Sequence, residues 1–185
     1  MYTPRPPEGI RVTREPQTPM VQPLPRDDLL IVRDELWDLV DEARAHPEKY
    51  PPHGNRSGAS MNACRHFQYS RTLSGLAYEH NEYLASRPID WVNTYPNMHL
   101  GPNGKPTLDA GEPMDQAGFH RQRSENVATG FRTAAEVVRF WMQEDEQFGW
   151  GHRNAILTCE LQTAGTAHLE GGTGGHYWTL DMGTR

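Results

Sequence analysis

The chain has 185 residues, a formal net charge of −6, 15 prolines, 17 glycines and two cysteines. That length suits one domain plus a tail, since a domain typically runs to about 100–200 residues. The acidic balance argues against nucleic-acid binding, no apolar run approaches the roughly 18 residues of a membrane span, and two cysteines exclude both a disulfide-dense scaffold and a four-cysteine zinc ribbon.

Seven of the 15 prolines lie between Pro4 and Pro25. Each removes a backbone donor and restricts the residue before it, so this stretch is neither helix nor central strand. Residues 1–26 read as an extended proline-rich arm, or, on composition alone, as a disordered leader. The first 20 residues lack the apolar core of a signal peptide. Residues 27–185 are left as the domain. The hydrophobic share of 36% is low partly because the arm stands outside the core.

A first helix is expected from about Asp28, with Val32, Leu36, Leu39, Val40 and Ala43 at helical spacing and Pro47 as its stop. A polar loop through residues 53–66 follows. A second helix is expected over residues 70–86, with Leu73, Leu76, Ala77 and Leu84 on its core face. GPNGKP at 101–106 is a turn cluster, and RSENVATG at 123–130 reads as a short strand closed by glycine. Thr133 and Glu136 form a T-x-x-E capping box that opens a helix carrying Val137, Val138, Phe140 and Trp141. Two alternating runs, LQTAGTAHLE and HYWTLDMG, flank GGTGG and predict an antiparallel hairpin. Helices first and strands last give an α+β class.

Several of these pieces resemble, in order, the CAP superfamily of cysteine-rich secretory, antigen 5 and pathogenesis-related proteins, especially its short bacterial branch. They are LWDLVDEARAHPEKY, LSGLAYEHNEYLA, MHLGPNGKP, SENVATGFRTAAEVVRFWM, GHRNAIL and the final hairpin. The resemblance covers about residues 28–184. It implies a three-layer α-β-α sandwich with a cleft tetrad of two histidines and two acidic residues. Residue by residue, His99, Glu125, Glu144 and His152 stand at those positions. Glu144 lies in the cluster EDE, so a slip of register, for example to Glu146, stays open. One segment departs from the family pattern: PTLDAGEPMDQAGF carries a Gly-Glu-Pro interruption that would reshape one wall of the cleft.

Three readings of the tetrad follow. His99 and His152 supply half of a tetrahedral set, enough for a weak divalent-metal site holding zinc or magnesium. Alternatively, two His–Glu pairs are purely structural. In a hydrolytic reading, Glu125 or Glu144 acts as general base on metal-bound water, with peptides as substrates. Nothing resembling G-x-S-x-G surrounds Ser124, and the glycines at 171, 172, 174 and 175 read as a turn between strands. His168 and His176 face each other across the hairpin loop, as a surface pair or a second ligand pair. His46, His53, His66 and His80 read as solvated or core-satisfied, and His120, beside arginines, as surface. Cys64 and Cys159 are either bridged or two reduced, buried thiols.

The chain is thus read as a non-enzymatic CAP-like module that binds a metal and a small lipid-like or glycan ligand in its cleft. Residues 1–26 would seat it on a protein or particle surface. A decoration component of a virus particle and a metal-assisted hydrolase are the alternatives. The expected location is extracellular or particle-associated. A cytoplasmic one stays open, because no leader is visible.

Overall fold

The computed structural model describes residues 34–185. The proposed arm, residues 1–26, and the expected helix start near Asp28 lie outside the described residues. The first helix, α1, spans Glu35–Ala45. Asp34, expected inside this helix, is instead its N-cap. Its backbone is extended, and its carboxylate accepts from Trp37 N–H at 2.8 Å and from the Thr166 hydroxyl at 2.7 Å. A side chain used this way fixes a helix start. The helix buries Leu36, Trp37, Val40, Ala43 and Arg44 on one face.

β1 (Gln68–Tyr69) precedes α2 (Arg71–Ala85), which Ser70 caps by accepting from Leu73 N–H at 3.2 Å. Short helices α3 (Ile89–Val92) and α4 (Pro113–Gln116) flank the turn region. β2 (Gln122–Thr129) leads to α5 (Ala134–Gln143), whose capping box is present with both reciprocal bonds. α6 (Gly151–Ile156) and the hairpin strands β3 (Thr163–Gly171) and β4 (Gly175–Thr184) complete the fold.

Among the described residues the sheet order is β1-β3-β4-β2. β3–β4 and β4–β2 pair antiparallel, while the two-residue β1 pairs parallel with β3. A strand of two residues carries no periodicity, and the sequence reading assigns that stretch no element. Alternation along β4 divides the core. Trp178, Leu180 and Met182 join α1 and α5 in one cluster. Tyr177 joins Leu84 of α2 in a second cluster, and Leu73 of α2 packs with Met114 and Phe119 in a third. The sheet is therefore the middle of three layers, between α2 and the α1–α5–α6 group. α2 lies against β3 at Gly165, where an added Cβ would sit 2.2 Å from the Ser74 main-chain nitrogen.

Cys64 and Cys159 are joined by a disulfide, 95 residues apart in sequence. Beside it, the buried Arg44 guanidinium donates to the carbonyls of Arg65, Ile156, Thr158 and Leu161 at 2.5–3.1 Å. Arg153, also buried, donates to the carbonyls of Tyr50, Ser60 and Met142 at 2.6–2.7 Å. These two arginines hold the irregular segment between α1 and α2 against α6.

Candidate functional site

Among the described residues β2 is an edge strand, and residues 124–129 line a cleft of about 580 Å3 along it. Successive β2 side chains point to opposite layers. Glu125 turns toward the α2 layer and accepts from His99 Nδ1 at 2.8 Å. Asn126 turns the other way and donates to the His152 carbonyl at 3.1 Å. The strand thus fixes both halves of the site. His99 ends a short 3-10 turn, Asn97–His99, and His152 sits in the first turn of α6. Both rings line the cleft.

The acidic partner of His152 is Asp145, not Glu144. Asp145 is fully buried and accepts from His152 Nδ1 at 2.6 Å. It also accepts from the main-chain N–H groups of His152 and Arg153 at 2.8 and 3.2 Å. Glu144 is the C-cap of α5, where the helix has ended and the backbone turns the side chain outward. It is exposed and pairs with Arg139 at 3.3 Å. Glu146 is also exposed and accepts from the Asn55 N–H at 3.2 Å. The middle residue of EDE therefore enters the site.

In both pairs the imidazole Nδ1–H is given to a buried carboxylate. This fixes the tautomer with the Nε2 lone pair free, the arrangement that orients a metal-binding histidine. No other hydrogen bond to either Nε2 is formed among the described residues. Among the described residues, however, no three His, Cys, Asp or Glu side chains gather as a metal-ligand set. Two imidazoles fit a divalent ion only if water or a ligand completes its shell.

Glu125 has further neighbours that sequence reasoning missed. His80 of α2 donates to the Met98 carbonyl at 2.9 Å and lies 3.7 Å from Glu125 Oε2. Asp181 faces Glu125 in the β2–β4 register. Burial opposes charge on Glu125, but the His80 and His99 rings outweigh it and hold its carboxyl below the ordinary range. Burial, then the charge of Glu125, pushes the Asp181 carboxyl well above its ordinary range. The pair therefore shares one proton, with Asp181 the donor and Glu125 the carboxylate. Aligning the predicted strands would have exposed this pair. No sequence signal marked Asp145 over its acidic neighbours.

The cleft walls are aromatic and apolar, with Met98, Phe131, Phe140 and Phe148 among them. Tyr95 and Phe148, 82% and 54% exposed, stand on its lining. Trp150, two residues before His152, is buried in the left-handed region at φ 63°, rare for a bulky side chain. Its ring N–H donates to the Asn55 carbonyl at 3.1 Å and its main-chain N–H to the Asp145 carbonyl at 3.0 Å. His168 and His176 bond each other at 3.1 Å, with His168 stacked on Trp178 at 3.7 Å. One nitrogen of each ring is thereby engaged in the mutual bond.

Residues 37–182 match the family model of the cysteine-rich secretory protein family, CAP. The chain belongs to this family. Two solved structures are similar. One is a cysteine-rich secretory protein of Staphylococcus aureus subsp. aureus Mu50, 16% identical with a TM-score of 0.47, covering 81% of this chain and 37% of that one. The other is an outer surface protein of Borrelia burgdorferi, 17% identical with a TM-score of 0.50, covering 81% of this chain and 90% of that one. The chain thus spans little over a third of the staphylococcal protein's length. No curated protein sequence matches significantly. The α+β CAP fold stands on the family match and the likeness to the Borrelia structure, together with the observed sheet and layers. No helix among the described residues is long and apolar enough to cross a membrane.

Proposed function

We propose that this CAP domain is a non-enzymatic binding module whose edge-strand cleft takes up a divalent metal through the Nε2 atoms of His99 and His152. One observation carries the reading: each ring spends Nδ1 on a buried carboxylate and lines the same cleft. Imidazole donors favour zinc over magnesium. Water or a small ligand lying on the apolar walls would fill the remaining positions, which suits a lipid-like molecule better than a glycan. Bound metal would supply Lewis acidity, but the protein brings little further machinery. Glu125 is committed to His99, and Glu144 lies on the surface, which leaves the hydrolase reading with less support. The disulfide and the family favour an extracellular or surface-associated setting. A particle-bound role through residues 1–26 is a separate proposal, tested by deleting them and measuring incorporation.

Calorimetric titration with zinc tests the central claim. The wild type should show saturable heat that the His99→Ala/His152→Ala variant lacks. Equal heats in the two proteins would overturn it.

A further inference from the structure

Arg153 of α6 is fully buried, and its guanidinium carries five N–H donors. Nε donates to the Ser60 carbonyl, and Nη1 donates to the carbonyls of Tyr50 and Met142. Nη2 has a different partner. It donates to Met61 Sδ at 3.2 Å, and no oxygen accepts from it among the described residues. A thioether sulfur is a weak acceptor, so the buried cation is poorly paired on this one edge. The position of the sulfur is fixed from both sides. Ser60, the residue before it, donates its main-chain N–H to Asn154 Oδ1 of α6 at 2.8 Å, and Cys64 lies three residues on, bridged to Cys159. The side chain is also within reach of solvent. Met61 is 51% exposed, whereas Met114, Met142 and Met182 are buried and Met98 is half-buried.

Oxidation turns a methionine into a polar sulfoxide, which disrupts a packed core. At Met61 the sign reverses, because the new oxygen faces an under-paired cation. We propose that Met61 is an oxidative modification site whose sulfoxide oxygen accepts from Arg153 Nη2 and tightens the segment between α1 and α2 against α6. Hydrogen peroxide is the oxidant. Its O–O bond breaks, one oxygen bonds to a sulfur lone pair, the sulfur is oxidised by two electrons, and the other oxygen leaves as water. The unbranched, half-exposed side chain can shift to seat the added oxygen between sulfur and nitrogen. A hydrogen bond from a charged donor is roughly twice as strong as a neutral one. The Arg153 main-chain N–H also donates to Asp145 at 3.2 Å, so the strengthened contact adjoins the carboxylate that orients His152. The inference does not depend on metal in the cleft.

The test uses the full chain with its disulfide intact. Dilute hydrogen peroxide is added, and peptide mass mapping follows each methionine separately. Met61 should oxidise ahead of Met98, Met114, Met142 and Met182. The reaction is stopped once Met61 is converted, and urea unfolding compares treated with untreated protein. The unfolding equilibrium constant of the wild type should fall about threefold or more, whereas Met61→Leu given the same treatment should gain nothing. Met61→Gln repeats the comparison without oxidant, since its carbonyl oxygen stands near the place of the sulfoxide oxygen. Its unfolding constant should lie about fivefold or more below that of Met61→Leu. Both substitutions change a half-exposed side chain, so the fold itself is not at stake. Three results would overturn the proposal: Met61 oxidising no faster than Met98, oxidised wild type no more stable than untreated, or Met61→Gln no more stable than Met61→Leu, which would mean that water already satisfies Nη2.

Discussion

The carboxylate of Asp145, fully buried, accepts twice from His152: from ring Nδ1 at 2.6 Å and from the main-chain N–H at 2.8 Å. One side chain therefore sets both the start of α6 and the orientation of the ring it presents. Asp145→Ala should cost about 1–3 kcal/mol in denaturant unfolding, because the N–H groups of His152 and Arg153 lose their acceptor. It should also weaken zinc about 10–100-fold, the usual effect of removing a carboxylate behind a ligand histidine. Glu144→Ala should stay within about 0.5 kcal/mol and leave zinc heats intact. The opposite ranking would return the tetrad to Glu144.

The contrast between these neighbours marks where sequence stops being informative. The helices at 71–85 and 134–143 were legible because their apolar spacing, and for the second the Thr133 capping box, act locally. The hairpin was legible through alternation and glycines. Glu125 and His99 were legible through family motifs. Asp145 was not, because only the exit geometry of α5 decides which residue of EDE turns inward. The start of α1 was missed for a related reason. Asp28 and Asp34 are equally good caps by type, and Asp34 is selected by Thr166, 132 residues away.

Asp181 makes a sign-definite prediction. Its folded pKa is raised, so its contribution to stability is full below the unfolded value near 3.8 and is lost as pH rises toward the folded value. Asp181→Asn mimics the protonated acid, keeps a donor for Glu125 and does not titrate. Its stability relative to wild type should therefore grow between pH 5 and 8, by up to about 1.4 kcal/mol per pH unit while the proton is held in the fold. Glu125 acts oppositely, since its depressed pKa makes stability fall as pH drops through its folded value. Urea unfolding at pH 5, 6.5 and 8 measures the difference. A constant offset would mean that Asp181 is ionised in the native state.

The Cys64–Cys159 bridge closes a loop with a sequence separation of 95. In the chain-entropy account such a loop contributes about 4–5 kcal/mol by restricting the unfolded chain. The Cys64→Ser/Cys159→Ser variant should lose about 2–5 kcal/mol, or roughly 5–20 °C in Tm. Its urea m-value should rise, because the released chain exposes more surface. An unchanged midpoint would show that the Arg44 and Arg153 carbonyl bonds hold this segment without the bridge.

Gly165 and Gly75 offer a paired test of how α2 is seated. A Cβ at Gly165 would lie 2.2 Å from Ser74 N, 2.7 Å from Leu73 C and 2.8 Å from Ser70 O, all main-chain atoms of α2 or its cap. No rotamer change relieves such contacts, so the helix must move off β3. That movement would carry His80 away from Glu125. Gly165→Ala should therefore cost about 3 kcal/mol or more and weaken zinc binding as well. Gly75 lies inside α2 with nothing within 4 Å of its added Cβ and no positive φ. Gly75→Ala should instead stabilise by about 0.5–1 kcal/mol, the ordinary gain of alanine over glycine in a helix. Chemical denaturation of the two variants gives opposite signs if α2 rests on β3 through the bare backbone at Gly165. Equal, small effects would place a looser packing there.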